Sequence, residues 1–196
     1  MLESVSVLLA NKTANASKNN VAILTYGYEL VLSTFLTAVL IVATSALTGE
    51  IITGWIFIVF YVPVRVCAGG YHAKTFIGCN FVSIASFITV MQLIKVGDIY
   101  FNTFAWHGIL IVSIIIILTF APHENKNQPM TLERRQKNKK NLKVRLLIET
   151  VIIIPLLRMG IMQVHVAILS LGLVATLLII AKLMKGENHE NAVETD

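Results

Sequence analysis

Three side chains that could support nucleophilic chemistry lie close together in the segment RVCAGGYHAKTFIGCN, residues 65–80. They are Cys67, His72 and Cys79. A cysteine becomes a strong nucleophile when a neighbouring imidazole takes its proton or holds it as the thiolate. His72 is five residues from one cysteine and seven from the other. The segment therefore suggests a cysteine–histidine dyad, and position alone allows either cysteine to be the nucleophile.

The spacing sets a condition on that dyad. Residues seven apart on one helix are separated by about 10.5 Å along its axis, too far for a hydrogen bond of about 3 Å. The chain must therefore fold back between His72 and Cys79, which Gly69, Gly70 and Gly78 permit. These glycines equally suit ordinary turns and close helix packing, and cysteines in helices are often inert. Two cysteines and one histidine make a poor zinc site, so we expect no metal.

The elements that position this segment belong to a membrane protein. The chain of 196 residues is 56% hydrophobic and 14% charged, and its mean hydropathy is +0.74. A soluble domain usually has about a quarter of its residues charged. Because the apolar residues form blocks without strand-like alternation, we predict an all-α fold. Residues 1–196 are expected to form a single polytopic helical bundle in the membrane.

About six transmembrane helices are predicted, of which at least four are expected to cross the membrane. The second candidate is only about 21 Å long, against a hydrocarbon core of about 30 Å. It is expected either to continue past a snorkelling Arg65 or to pack as a partly inserted hairpin. The fifth is the weakest candidate, because it contains Glu149, Pro155 and Arg158. The candidates are residues 30–47, 51–64, 76–94, 99–121, 146–162 and 164–181.

The basic residues predict the orientation of these spans. With six spans, 14 of the 16 lysines and arginines fall on the side of the termini, and only Lys95 and Arg158 fall opposite. The positive-inside rule then places both termini and residues 65–76 and 122–145 in the cytoplasm. A disulfide is disfavoured in that reducing compartment.

The two ends of the chain are predicted to be non-spanning. The apolar run at the start is too short, and lacks the basic flank, for a signal peptide. Residues 1–20 are instead expected to form a cytoplasmic segment with a short helix on the membrane surface. Residues 182–196 are expected to be a polar tail.

The segment PHENKNQPMTLERRQKNKKNLKVR is the only long hydrophilic stretch, and we predict a basic cytoplasmic loop at residues 122–145. Such a loop can fix the topology and contact anionic lipid. It can also hold an acidic peptide partner near the membrane. Its charge lacks the aromatic interleaving or motif of a nucleic-acid site. The candidate contacts are Arg134, Arg135, Lys139 and Lys140.

The residues around the candidate dyad resemble a known signature. Arg65, the run GGYHA at residues 69–73, and Cys79 are similar to the R-x3-G-G-Y-H-A-x5-C pattern of the accessory gene regulator B (AgrB) family. These proteins are membrane cysteine endopeptidases of Gram-positive quorum sensing. The resemblance covers most of the chain, including its length, its spans and the APHENKNQP entry to the basic loop.

That resemblance implies an activity. It makes His72 and Cys79 the catalytic pair and an AgrD-type propeptide the substrate. Cys79 would cleave off the C-terminal tail of the propeptide, leaving an acyl-enzyme thioester that closes into a thiolactone or lactone ring. No cofactor is implied, and a homodimer is expected of the family.

Other polar residues have two interpretations each. Glu29 is a candidate third member of the catalytic group, or a snorkelling residue at the membrane interface. Arg65 could neutralise an acidic group on the substrate, or mark the interface. Gly69 and Gly70 could help to bind an oxyanion or form turns. His107 and His165, which have no cysteine near them in sequence, are expected to be structural.

Two other classes of function compete with the enzyme. A small transporter would distribute polar groups along a pathway through the bilayer, often with inverted repeats. A non-enzymatic membrane sensor or anchor would need only the spans and the basic loop, so Cys79 would be replaceable. Mass analysis of a precursor incubated with the protein would distinguish the three.

Overall fold

A computed structural model shows an all-helical protein. It describes Ser6 and residues 18–69, 76–100, 102–123 and 132–193. Within the helices, some side chains, including those of Glu29 and Cys79, lie outside this description. The described residues form six helices: α1 Lys18–Leu47, α2 Ile51–Ala68, α3 Phe76–Tyr100, α4 Thr103–Phe120, α5 Leu132–Arg158 and α6 Val164–Val193.

Four helices are long and apolar enough to cross a membrane, which agrees with the predicted polytopic all-α fold. The second predicted span does continue past Arg65, because α2 ends at Ala68. The described apolar part of α1, Val31–Leu47, is shorter than the four. The predicted surface helix in residues 1–20 lies almost wholly outside the described part of the chain. The four candidate spans are Ile51–Ala68, Asn80–Gly97, Thr103–Phe120 and Val164–Met184.

The boundary between the third and fourth predicted spans lies further along the chain than the hydropathy pattern indicated. Helix α3 continues through the charged residues at 95 and 98 and ends at Tyr100. Helix α4 begins at Thr103, because the side chain of Asn102 accepts a hydrogen bond of 3.0 Å from the Ala105 N–H. An asparagine cap of this kind satisfies one of the free N–H groups at the start of a helix.

The basic segment is helical from Leu132 onward and is continuous with the predicted fifth span. Residues 132–145 are rich in Leu, Arg, Lys, Gln and Glu, which favour helices, and the first proline is Pro155. Helix α5 is not among the four candidate spans. Its buried residues form one stripe that faces the bundle: Leu142, Leu146, Glu149, Ile153 and Leu157.

Helix α6 lies at the centre of the bundle and packs against α2, α3, α4 and α5. It runs parallel to α4. At the start of both helices, the Trp106 and His165 rings stack with centroids 4.1 Å apart. Near the end of α4, the Lys182 Nζ lies 4.2 Å from the centroid of the Phe120 ring. His107 Nδ1 is 2.7 Å from the Thr103 carbonyl oxygen in its own helix. His165 therefore contacts another helix of the bundle, whereas the contact of His107 lies within its own helix.

Helix α1 is attached to the two helices that flank residues 69–75. Against α2, a Cβ added at Gly54 would lie 2.6 Å from the Ser45 Cβ, so this approach of the two backbones requires glycine. Against α3, the Thr37 Oγ1 donates a hydrogen bond of 2.6 Å to the Asn80 Oδ1. Helix α1 thus contacts α2 near its start, at the opposite end from Cys67, and α3 next to Cys79.

Candidate functional site

The two cysteines that could belong to the dyad lie at different helix termini, one near a C-terminus and the other near an N-terminus. Cys67 is in the last turn of α2 and is partly buried. Cys79 is the fourth residue of α3, directly before the candidate span Asn80–Gly97. His72 and Gly70 fall in residues 70–75, outside the described part of the chain. That His72 lies close to one of the cysteines therefore remains a prediction.

The two helix ends differ in their electrostatics. The first four N–H groups of a helix have no partner within it, and its N-terminus carries a partial positive charge. Helix α3 begins at Phe76, so Cys79 lies near its positive end. A thiolate at Cys79, and an oxyanion formed beside it, would both be stabilised there. The last turn of α2, which holds Cys67, ends in carbonyl groups and favours cations. The direction of the helix dipoles thus favours a thiolate at Cys79 over one at Cys67.

The chain leaves α2 in a fixed direction because Arg65 and Gly69 bind each other. The Arg65 Nη1 donates a hydrogen bond of 2.7 Å to the Gly69 carbonyl. The Gly69 N–H donates one of 3.1 Å to the Arg65 carbonyl. Basic side chains commonly stabilise helix C-termini in this way. This contact with the backbone belongs to neither role that the sequence suggested for Arg65, and it supports the start of the segment that carries His72.

The end of α4 contacts the same point. The His123 N–H donates a hydrogen bond of 2.9 Å to the Ala68 carbonyl, and Gly69 and His123 form an isolated parallel bridge. Gly69 and His123 therefore lie side by side at one end of the bundle. The sequence analysis did not single out His123. The APHEN run after the fourth span was the sequence signal available for His123. Its pairing with Gly69 could not be read from that run, because Gly69 lies more than fifty residues earlier.

We expect Gly69→Ala to destabilise the protein more than Gly49→Ala. Both glycines have positive φ, 68° and 74°, so alanine costs about 1–2 kcal/mol of backbone strain at either. Only at Gly69 would the new Cβ also meet backbone, 2.5 Å from the His123 oxygen; nothing lies within 4 Å at Gly49. Overpacking adds about 1–3 kcal/mol. Thermal unfolding of the two variants in detergent measures the difference, and equal losses would remove the bridge from the account.

A second cluster attaches α5 to α2. Pro63 has no N–H, so the carbonyl of Val59, four residues earlier, lacks its usual partner within the helix. The Arg145 Nη2 donates a hydrogen bond of 2.6 Å to that carbonyl. The Arg145 Nε donates one of 2.7 Å to Glu149 Oε1, and the Glu149 side chain is only 1% exposed. Arg145 thus links the basic half of α5 to the helix that leads into residues 69–75.

In the sequence, Glu149 indicated a weak span, and Arg145 counted only as one of the basic residues of the loop at 122–145. An arginine and a glutamate four residues apart share a helix face, and Pro63 signals a free carbonyl at Val59. Both signals are local, but the contact between them joins two helices whose residues are 86 positions apart.

The remaining predicted residues are distributed as follows. The four candidate contacts in the basic segment are all exposed on the first half of α5: Arg134, Arg135, Lys139 and Lys140. Glu29 lies within α1, but its side chain is outside the description, so its distance to the 70–75 segment is open. Where side chains are described, no group of three His, Cys, Asp or Glu residues could hold a metal ion.

The proteins and the family model that this chain resembles all belong to one family. The family model for Accessory gene regulator B matches residues 3–184. The chain is 28% identical to an AgrB-like protein of Halalkalibacterium halodurans, covering 98% of this chain and all of that protein. It is 25% identical to AgrB-like protein 2 of Clostridium perfringens, covering 75% of this chain and 72% of that one. No solved structure matches the chain significantly.

Proposed function

The chain belongs to the accessory gene regulator B family of the agr quorum-sensing system, and we propose that it is a membrane cysteine endopeptidase acting on an AgrD-type propeptide. The observation that carries the proposal is the position of Cys79. The last residue of the R-x3-G-G-Y-H-A-x5-C signature lies in the first turn of α3, at the positive end of the helix and next to the start of a candidate span.

In the proposed mechanism, His72 takes the proton of Cys79, and the thiolate attacks a peptide carbonyl of the precursor. The positive end of the α3 dipole stabilises the oxyanion that forms. The C–N bond then breaks, and His72 returns the proton to the leaving amine of the C-terminal tail. The acyl group remains on Cys79 as a thioester. A thiol within the precursor attacks it, which frees Cys79 and closes a thiolactone; a serine hydroxyl would give a lactone.

The roles of the supporting residues follow from their contacts. Arg65 holds the Gly69 carbonyl at 2.7 Å, and so orients the segment that carries His72. Glu29 remains a candidate for orienting the imidazole, and Gly70 for contacting the substrate backbone. No cofactor takes part. The expectation of a homodimer comes from the family resemblance.

The direct test is to incubate the purified protein in lipid vesicles with an AgrD-type precursor and weigh the products. We expect a free C-terminal tail and a cyclic product that is one water lighter than the linear N-terminal fragment. An unchanged precursor, with folded protein, would contradict the proposal and favour a sensor or anchor. Movement of uncleaved precursor across the vesicle membrane would indicate a transporter.

We place the termini and both segments, 65–76 and 122–145, in the cytoplasm. The supporting observations are the distribution of 14 of 16 basic residues and the contact between Gly69 and His123 at one end of the bundle. The basic half of α5 would then lie near anionic headgroups. Labelling a single cysteine at position 135 from outside intact cells would overturn this orientation.

The exposed basic residues of α5 are proposed to bind an acidic tail of the precursor. Reversing Arg134, Arg135, Lys139 and Lys140 to glutamate is expected to weaken processing at least about tenfold, and added salt should weaken the wild-type protein too. The matched control exchanges arginine and lysine at the same four positions and keeps the charge. If the reversed protein inserts normally and processes precursor at the wild-type rate, the segment is an anchor of topology only.

A further inference from the structure

A buried hydrogen bond joins α1 to α3 next to the proposed nucleophile. The Thr37 Oγ1 donates to the Asn80 Oδ1 at 2.6 Å, across 43 residues of sequence. Each of the two residues is only 6% exposed. Asn80 directly follows Cys79 and is the first residue of the apolar window of α3. The hydrogen bond therefore constrains α3 at the residue next to the proposed nucleophile.

The position of this bond matters because the first turn of a helix is its least constrained part. Helix ends fray more readily than helix interiors. Consecutive residues of a helix are related by about 100° and 1.5 Å, so fixing the side chain of Asn80 also fixes the rotation and height of Cys79. In an apolar bundle, water does not readily replace such a bond.

We propose that Thr37 and Asn80 form a positioning pair that holds the first turn of α3, and with it the Cys79 nucleophile, against α1. This inference rests on the proposed function, in which Cys79 reacts. Neither residue touches the substrate. The opposing view is that the bond only packs α1 on α3 and has no effect on the position of Cys79.

The test compares Thr37→Val, which keeps the shape but removes the donor, with Thr37→Ser, which keeps the hydroxyl. Thr37→Val is expected to lower kcat for precursor cleavage about 10- to 100-fold, as misplaced reacting groups do, while KM changes less than about twofold. Thr37→Ser should recover most of kcat. The matched control is Thr44→Val, because the Thr44 hydroxyl donates only to the Leu40 carbonyl of its own helix, at 2.8 Å.

A packing role alone would reduce the amount of folded protein without changing kcat per folded molecule. That outcome for Thr37→Val would overturn the proposal. Asn80→Ala removes the acceptor instead and is expected to give the same loss of kcat, so it serves if Thr37→Val does not fold.

A readout without precursor separates this inference from the proposed function. In a Cys67→Ala background, a thiol alkylator should modify Cys79 several times more slowly in Thr37→Val than in Thr44→Val, because Cys79 no longer stays at the helix N-terminus. Equal rates contradict the positioning role even where cleavage is intact. If the wild-type protein cleaves no precursor but the alkylation rates differ, the proposed function fails and the positioning role stands.

Discussion

Cys79→Ala and His72→Ala are each expected to abolish precursor cleavage, by at least about a thousandfold, whereas Cys67→Ala should keep most of it. Cys79 lies in the first turn of α3, where the positive end of the helix dipole favours a thiolate. Cys67 lies in the last turn of α2 and is partly buried, so packing is enough to account for a cysteine at this position. Cleavage is measured with saturating precursor and normalised to the protein in the membrane fraction.

The same variants show whether His72 and Cys79 act as one unit. The double variant should be no worse than either single one, because residues of one catalytic unit are not additive. A thiol alkylator should label Cys79 faster than Cys67, and His72→Ala should slow that labelling. Robust cleavage by Cys79→Ala, together with loss in Cys67→Ala, would reverse the assignment of the nucleophile.

Arg145→Met is expected to lower the free energy of unfolding by about 3–5 kcal/mol, because it leaves the buried carboxylate of Glu149 without its partner. This is the largest loss of stability expected among the proposed variants. It also leaves the Val59 carbonyl unpaired, since Pro63 cannot donate to it. Arg145→Met combined with Glu149→Leu should recover much of the loss, because an apolar pair of similar volume replaces a buried ion pair with little cost.

The matched control is Arg158→Met, which removes an exposed arginine from the same helix. Exposed charges contribute little, so we expect a change below about 0.5 kcal/mol. Equilibrium unfolding in mixed micelles measures all four proteins. Equal stability of the Arg145 and Arg158 variants, or a double variant as unstable as Arg145→Met, would show that the cluster does not hold α5 on α2.

Hydropathy predicted the parts of the fold that depend on composition alone. The start of α3 at Phe76 and the extension of α2 beyond Arg65 both follow from apolar blocks and the thickness of a bilayer. The start of α4 depends instead on the Asn102 cap, a single hydrogen bond that a hydropathy window does not register. The helical form of residues 132–145 was available from residue propensities, but the charge of the segment suggested a loop.

The contacts that position the site could not be predicted, because each joins residues far apart in sequence. Thr37 and Asn80 are separated by 43 residues, and Val59 and Arg145 by 86. Periodicity shows which face of a helix is apolar, but not which helix it meets. The chemistry proposed for the site rests on a local signature, from Arg65 to Cys79.

The most direct measurement is the mass of the acyl-enzyme. A precursor whose own ring-closing cysteine is replaced by alanine cannot accept the acyl group, so the thioester should accumulate on the protein. After an acid quench, the peptide that contains Cys79 should carry the mass of the N-terminal precursor fragment, in amounts that match the released tail. Release of the tail with no adduct on Cys79, or with the adduct on Cys67, would contradict the proposed mechanism.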